Sequence, residues 1–227
     1  MADYLIGTMP EPLDDAILAA LADVETATIG HVRHWGFMNR EIKPLNHTNK
    51  VIGCAITLAL PAQDSTLLHH ATGMLRPGDI VVIDRLGDRT HACVGGAVAT
   101  AVVASGALGC VIDGPATDPT EIKQFGLTVW CAGVSPITTR LYNLGGMLNQ
   151  PISCGGVSVK PGDVILADEN GVLVIPREEA IELGRAAVAR QNRINGNIDK
   201  IRKGAKLGEL SGATKMVLEA VKAAPGG

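Results

Sequence analysis

The sequence predicts a single α/β domain. Short apolar runs of strand length alternate along the chain with segments whose apolar residues recur at helical spacing. Of the 227 residues, 46% are apolar but only 3% are aromatic, so we expect an aliphatic core. No stretch rich in Pro, Gly or Ser divides the chain. We therefore predict one domain over residues 1–227, with a helical C-terminal extension from about residue 177.

Each element is predicted from its pattern and its flanking signals. The first helix follows an acidic turn, the third begins at a Ser cap, and the strands are continuous apolar runs. The predicted helices are 11–24, 27–39 (helical or turn-rich), 65–75, 95–106, 118–126 and 176–204. The predicted strands are 50–61, 76–84, 107–114 and 127–133, followed by short antiparallel strands within 151–175.

Composition excludes several classes of function. The net charge of -3 argues against nucleic acid as the main partner, because phosphate binding favours a basic excess. No uncharged apolar run reaches the length of about 18 residues that a membrane span needs, and the first residues do not resemble a signal peptide. The five cysteines lack CxxC spacing, which predicts buried thiols rather than disulfides or a zinc site. We expect a cytoplasmic protein without a membrane partner.

Two stretches of the sequence echo each other. "RPGDIVVID" (76–84) and "KPGDVILAD" (160–168) share a basic residue, Pro-Gly-Asp, an apolar run and a final Asp. Either these are two similar turns that lead into strands, or they are two hairpin units that face each other across a sheet sandwich.

The stretch "VIDGPATDP" (111–119) carries a lone acid at the end of a predicted strand. Asp118 stands near the N-cap of the next helix, with Pro119 at its first position. Its carboxylate is therefore either a ligand for a cation or a simple helix cap.

Several longer motifs resemble the RraA-like family. They are "GDIVVIDRLGD", "GGAVATAVVASGALGCVIDGPATDP", "GVSP" and "SVKPGDVILADENGVLVIPRE". This family includes class II 4-hydroxy-4-methyl-2-oxoglutarate aldolases, oxaloacetate decarboxylases and the regulator of ribonuclease activity A. The resemblance implies an α/β/β/α sandwich related to swivelling phosphohistidine domains. It also implies homotrimers or homohexamers with sites between subunits.

The aldolase signature of that family is only partly kept. It has an acid just after a Gly and later an Arg-Asp pair, and these align with Gly96, Thr117 and Asp118. By the resemblance, Asp118 is the ligand of a divalent metal, Mg²⁺ or Mn²⁺. The Arg position, here Thr117, would pair with a substrate carboxylate, and the first acid would orient metal-bound water.

A loop before the fourth predicted helix offers replacements for the missing positive charge. Arg89 and His91 stand where the family usually has small residues, so either side chain could bind a substrate anion. Alternatively, Arg85 and Arg89 are solvated loop residues that form salt bridges between subunits. The resemblance places anion-binding backbone amides at Cys93, Val94, Gly95 and Gly96.

The motif "HVRHWG" (31–36) contributes two further candidates. His31 and His34 are three residues apart and would share one helical face. They could act as general acid and base or as added metal ligands, or they could be a structural or surface pair.

Together these features give two hypotheses. The first is a divergent metal-dependent lyase of the retro-aldol or decarboxylase type, acting on a small oxo or hydroxy carboxylic acid. The second is a non-catalytic regulatory or binding protein, as the ribonuclease regulators are.

Overall fold

The computed structural model describes residues 2–46 and 49–223. The strands are β1 (Asp3–Ile6), β2 (Lys43–Pro44), β3 (Val51–Ala59), β4 (Asp79–Asp84), β5 (Gly109–Ile112), β6 (Thr128–Cys131), β7 (Gly145–Leu148), β8 (Ile152–Cys154), β9 (Val157–Val159), β10 (Val164–Asp168) and β11 (Gly171–Ile175). The helices are α1 (Asp15–Leu21), α2 (Thr26–Gly30), α3 (Thr66–Thr72), α4 (Gly96–Ala104), α5 (Pro119–Gln124), α6 (Ala180–Arg202), α7 (Leu207–Ser211) and α8 (Ala213–Ala223). A 3₁₀ turn, Arg177–Glu179, precedes α6.

Parallel strands β3, β4, β5 and β6 form the centre of the main sheet. The sheet order is β1-β7-β3-β4-β5-β6-β2, and the β10–β11 hairpin joins it because β10 pairs with β3. Helices α3, α4 and α5 cover one face over an aliphatic core. Fully buried side chains of this core include Ile56, Leu58, Ile83, Ile112 and Ile122.

The other face of the main sheet packs against the hairpins β8–β9 and β10–β11. The side chains of β10 point alternately to its two sides, as expected of a strand between two layers. Ile165 and Ala167 enter the core between the sheet and the hairpins, whereas Val164 and Leu166 pack with α1, α2 and α6. The layers therefore run helix, sheet, sheet, helix, which confirms the predicted α/β/β/α fold class. Within the described ranges, none of the helices is both long and apolar enough to cross a bilayer.

The echo at 76–84 and 160–168 consists of two turns of the same structure. In each turn the Asp side chain, of Asp79 or Asp163, accepts a hydrogen bond of 2.8 Å from the N–H of the basic residue three positions earlier. The glycine of each turn has φ +88°, the left-handed conformation that a type II turn requires after proline. The two turns lead into β4 and β10, which pair with β3 in parallel and antiparallel sense respectively. The interpretation as similar turns feeding strands fits this geometry.

A buried carboxylate anchors the segment that runs into β7. Asp64 accepts hydrogen bonds from the hydroxyl and N–H of Thr66 and from the N–H groups of Tyr142 and Leu144. Burial acts to raise the pKa of Asp64, but the Thr66 hydroxyl and the three backbone N–H groups outweigh it and lower the pKa to about 2.

Replacing Asp64 with asparagine is expected to lower the free energy of unfolding by about 2 kcal/mol, because the folded state no longer gains from ionising this group. The folded-state pKa lies below the ordinary value of 3.8, so this stabilisation is present above about pH 4 and is lost as pH falls towards 2. Urea unfolding at pH 3 and pH 7 measures both effects. Equal loss of stability in the variant at both pH values would contradict this assignment.

Candidate functional site

The carboxyl ends of β4, β5 and β6 meet at one edge of the sheet, where α/β proteins commonly bind ligands. The loops that leave these strands are tied together by backbone hydrogen bonds. Thr117 N–H donates to Val94 O at 2.9 Å, and Ala116 N–H donates to Gly133 O at 3.0 Å. This edge therefore fixes the turn that carries Asp118 against the start of α4.

Asp118 occupies the N-cap position of α5, but its side chain does not cap that helix. Its backbone is left-handed, at φ 52° and ψ 48°, a conformation that Asp tolerates better than most residues. The carboxylate instead turns towards α4, where Oδ2 accepts the N–H of Gly96 at 3.0 Å. The Thr117 hydroxyl donates to Oδ1 at 3.2 Å, so most of the acceptor capacity of this exposed carboxylate stays open.

Two glycines at the start of α4 make room for carboxylates. A Cβ on Gly95 would lie 2.5 Å from Oδ2 of Asp118, and a Cβ on Gly96 would collide with Oε2 of Glu121. The carboxylate oxygens of Asp118 and Glu121 thus lie against Gly95 and Gly96, two consecutive residues at the start of α4. Glu121 is not among the site residues that the sequence predicts.

This arrangement fits a hard divalent cation. Mg²⁺ prefers oxygen ligands and usually keeps several waters, so one or two protein carboxylates suffice. The exposed side chains of Asp118 and Glu121 provide such oxygens, beside a helix N-terminus whose first residue, Gly96, is buried. No cluster of three or more His, Cys, Asp and Glu side chains suited to a metal occurs in 2–46 or 49–223, so a site rich in nitrogen or sulfur ligands does not form from these residues.

Arg89 lies beside the same edge and is half exposed. Its guanidinium pairs with Asp113 at 3.0 Å, and Asp113 also accepts the N–H of Gly155 at 2.9 Å. Arg89 and Lys43 line an open cleft of about 480 Å³ between β2 and the end of β6. Lys43 is a cation that sequence reasoning missed, because only the antiparallel pairing of β2 with β6 brings it to this edge.

His91 is held in place by a carboxylate that sequence analysis also missed. Nδ1 of His91 lies 2.9 Å from Oδ2 of Asp88, which also accepts from the fully buried Arg85 at 3.2 Å. Burial acts to raise the pKa of Asp88, but hydrogen bonds from the loop N–H groups and the His91 ring lower it. Arg85 is thus a buried ion-pair partner rather than a solvated loop residue.

The predicted anion-binding amides follow in the same loop. Of the four residues from Cys93 to Gly96, Gly96 uses its N–H for Asp118, and the side chains of Cys93 and Val94 are buried. Burial raises the pKa of the Cys93 thiol to about 11, and all five cysteines are free and buried, as the sequence predicts. Such thiols are poor nucleophiles.

His31 and His34 lie in a different part of the molecule. Both are exposed and follow α2, which packs against α6, β10 and β11. Between them, Arg33 is buried and pairs with Glu179 at 2.6 Å. A larger cavity of about 580 Å³ beside this segment is lined by Arg33 and Trp35 and contains none of the predicted site residues.

The fold and this edge define a class of protein: an α/β/β/α sandwich with a carboxylate directed over a helix start at the carboxyl end of its parallel strands. The sequence profile of the Aldolase/RraA family, described as RraA-like, matches residues 18–174. The chain belongs to the RraA-like family.

The chain is similar to proteins with different names. It is 36% identical over 168 residues to a Halalkalibacterium halodurans protein named for 4-hydroxy-4-methyl-2-oxoglutarate aldolase, covering 71% of this chain and 80% of that one. It is 30% identical over 189 residues to protein DlpA of Legionella pneumophila, covering 80% of this chain but only 30% of DlpA. A solved structure, Streptomyces coelicolor RraAS2, is described as an unusual member of the RNase ES inhibitor RraA family. It superposes with a TM-score of 0.73 at 25% identity, over 84% of this chain and 99% of its own.

Proposed function

We propose that the chain is a divalent-metal-dependent lyase of the retro-aldol or decarboxylase type, acting on a small oxo or hydroxy carboxylic acid. The observation that carries this proposal is the direction of Asp118. Its carboxylate turns away from the helix that it heads and is aimed by the Gly96 N–H over the start of α4. The aldolase name of the Halalkalibacterium halodurans relative supports the reaction class.

Each side chain at this edge has a proposed task. Asp118 holds the cation, Mg²⁺ or Mn²⁺, which when bound supplies Lewis-acid chemistry at the oxygen of a 2-oxo acid. Thr117 cannot form the bidentate pair that an Arg forms with a carboxylate. Arg89, supported by Lys43 across the cleft, therefore binds the anionic end of the substrate. His91, oriented by Asp88 in the loop before α4, is the group proposed to move a proton.

The assembly is proposed to be a homotrimer or homohexamer in the cytoplasm. The segment 134–144 supports an assembly, because it presents a row of exposed apolar side chains beside the proposed site. They are Val134, Ile137, Leu141, Tyr142 and Leu144. Several large apolar side chains exposed within one short segment are typical of protein interfaces. A monomer in multi-angle light scattering at working concentration would contradict the oligomer.

Metal removal tests the proposed reaction. Protein treated with EDTA and then freed of chelator is expected to release neither pyruvate nor CO₂ from a panel of 2-oxo acids, and Mg²⁺ or Mn²⁺ should restore release. Full turnover by the metal-free protein would refute the proposal.

A second candidate function is a non-catalytic binding protein. Gly96 and Thr117 favour it, because both depart from the signature that the resemblance assigns to the aldolases. The likeness to RraAS2, which is described as a member of an RNase inhibitor family, points the same way. Metal binding without turnover of any acid in the panel is the result that this candidate predicts.

A further inference from the structure

We propose that the cavity of about 580 Å³ beside Trp35 binds a free α-amino acid. This inference goes beyond the proposed lyase, since the Trp35 cavity contains none of the residues assigned to that reaction. Its lining comes from four separate segments of the chain, within 10–11, 33–36, 157–163 and 174–178. Its volume lies in the range that is usual for sites that bind small molecules.

Hydrogen bonds hold the walls of the Trp35 cavity in place. Arg177 donates to the carbonyl of Glu11 at 2.9 Å, which fixes the segment before α1. The carbonyl of Gly36 accepts the N–H of Val174 at 2.8 Å. With φ +84°, Gly36 passes so close to β11 that a Cβ would lie 2.5 Å from the carbonyl oxygen of Val174. The cavity is therefore formed before any ligand enters, as small-molecule sites usually are.

The indole of Trp35 provides an apolar wall. This residue is 65% exposed, and the guanidinium of Arg33 lies 5.4 Å from the ring centroid, where Glu179 neutralises its charge at 2.6 Å. Arg33 therefore steadies the ring by a cation–π contact. The ring is thus placed to pack against an aliphatic or aromatic side chain of a ligand. Nε of Arg33, whose side chain is 4% exposed, has no hydrogen-bond partner among the described residues and is an unmet donor in the lining.

Lys160 is the cation available to the carboxylate of a ligand. It begins the second of the two matching turns, and the first turn shows how a basic residue can be used there. Arg76 pairs with Asp79 at 3.3 Å and donates to the carbonyl of Pro10 at 2.7 Å. The ammonium group of Lys160 makes no ion pair and no hydrogen bond within 2–46 and 49–223, although Asp163 follows three positions later. Its charge therefore remains free at the cavity.

Three carboxylates in the lining can bind the ammonium group of a ligand. They belong to Glu11, Asp163 and Glu178, and none of them forms an ion pair with another described residue. Burial raises the pKa of Asp163, and together with the charges of Glu178 and Glu179 it outweighs the opposing contacts of Lys160. A ligand ammonium group among these acids would reduce their mutual repulsion.

The free charges of the Trp35 cavity have both signs, which favours a zwitterion. A simple carboxylic acid would bring a further negative charge towards three carboxylates, and a simple amine would leave Lys160 without a partner. An α-amino acid carries an ammonium group and a carboxylate on one carbon. It also carries a side chain that can pack on Trp35.

Tryptophan fluorescence tests this site without any assay of turnover, because the only other tryptophan, Trp130, is fully buried in the core. The common amino acids are titrated one at a time, with calorimetry for the aromatic ones, and at least one is expected to change the emission of Trp35 saturably. Its matched amine, which lacks the carboxylate, and its matched acid, which lacks the ammonium group, are titrated next. Each is expected to bind about 10- to 100-fold more weakly, because each loses charge-assisted hydrogen bonds.

Variants assign the two charges. Lys160→Gln is expected to weaken binding of the amino acid about 10- to 100-fold and to leave binding of the matched amine unchanged. The double variant Glu11→Gln with Glu178→Gln should weaken the amino acid similarly and leave the matched acid unchanged. Lys215→Gln in α8 and Glu182→Gln in α6 change exposed residues of the same types and are the matched controls, which should bind as the parent does.

Several results would overturn the proposal. One is that no amino acid binds saturably below about 10 mM. Equal affinity for the matched amine or the matched acid would show that the ligand is not a zwitterion. Unchanged affinity in both charge variants would place the ligand elsewhere. Asp118→Asn should bind the amino acid as the parent does, and a loss of binding in this variant would place the amino acid at the proposed lyase site instead.

Discussion

Replacing Asp118 with asparagine is expected to weaken divalent-metal binding by more than about a hundredfold while leaving the fold intact. Asparagine tolerates the left-handed backbone at this position, and its amide oxygen can still accept the Gly96 N–H. What it lacks is the negative charge that, in the proposed function, would hold Mg²⁺ or Mn²⁺. Calorimetric titration with Mn²⁺ and a thermal melt of the same sample measure the two effects side by side.

Asp118→Ala is the companion variant. Alanine keeps neither the charge nor the hydrogen bond, and it is strained at positive φ, so it should lose metal binding and also about 1 kcal/mol of stability. If the carboxylate served only the fold, the asparagine variant would bind metal as the parent does. The alanine variant would then lose stability but not metal binding.

Asp88→Ala is expected to destabilise the protein by about 3–5 kcal/mol, because it leaves the charge of Arg85 buried without its partner. Arg85 is completely buried, and its Nε and Nη1 already lack hydrogen-bond partners among the described residues. Asp88 also accepts the N–H of Thr90 and of His91, so the loop before α4 loses its anchor as well. Chemical denaturation monitored by circular dichroism measures the change.

The control for the Arg85–Asp88 ion pair also removes the positive charge of Arg85, so that no unpaired charge stays buried. Arg85→Met retains most of the apolar volume and eliminates a buried cation, so adding it to Asp88→Ala should recover part of the lost stability. A double variant that is less stable than Asp88→Ala alone would show that Arg85 stabilises the loop by contacts other than the ion pair.

The order and type of most elements could be predicted from the chain alone. The run 107–114 contains β5, and the Pro119 signal marks the start of α5 correctly, because both patterns are local. In the weakly patterned stretch 27–39 only residues 27–30 are helical, as the end of α2 (Thr26–Gly30). Arg33 then pairs with the 3₁₀ turn before α6, and Phe37 pairs with β11.

The candidate site was predictable only where the signal is local. Asp118 could be found because a strand end, a turn and a helix start coincide in nine residues. Glu121 and Asp88 could not be assigned in this way, because their partners, Gly96 and the buried Arg85, depend on how separate loops pack. His31 and His34 were candidates because of their imidazole chemistry alone, and in the fold they follow α2, which packs against α6, β10 and β11. Their proposed catalytic role therefore has no geometric support.

The pairing of β3 has a consequence for how the chain folds. One edge of β3 pairs with β4, which follows closely in sequence. Its other edge pairs with β7 and β10, which come much later in the chain. During synthesis the central strand therefore stays half paired until residues 145–168 have emerged, and the N–H and C=O groups of its open edge can pair with wrong partners. Because such distant pairings carry a large loop-closure entropy, we expect refolding to be slow and prone to aggregation at high protein concentration.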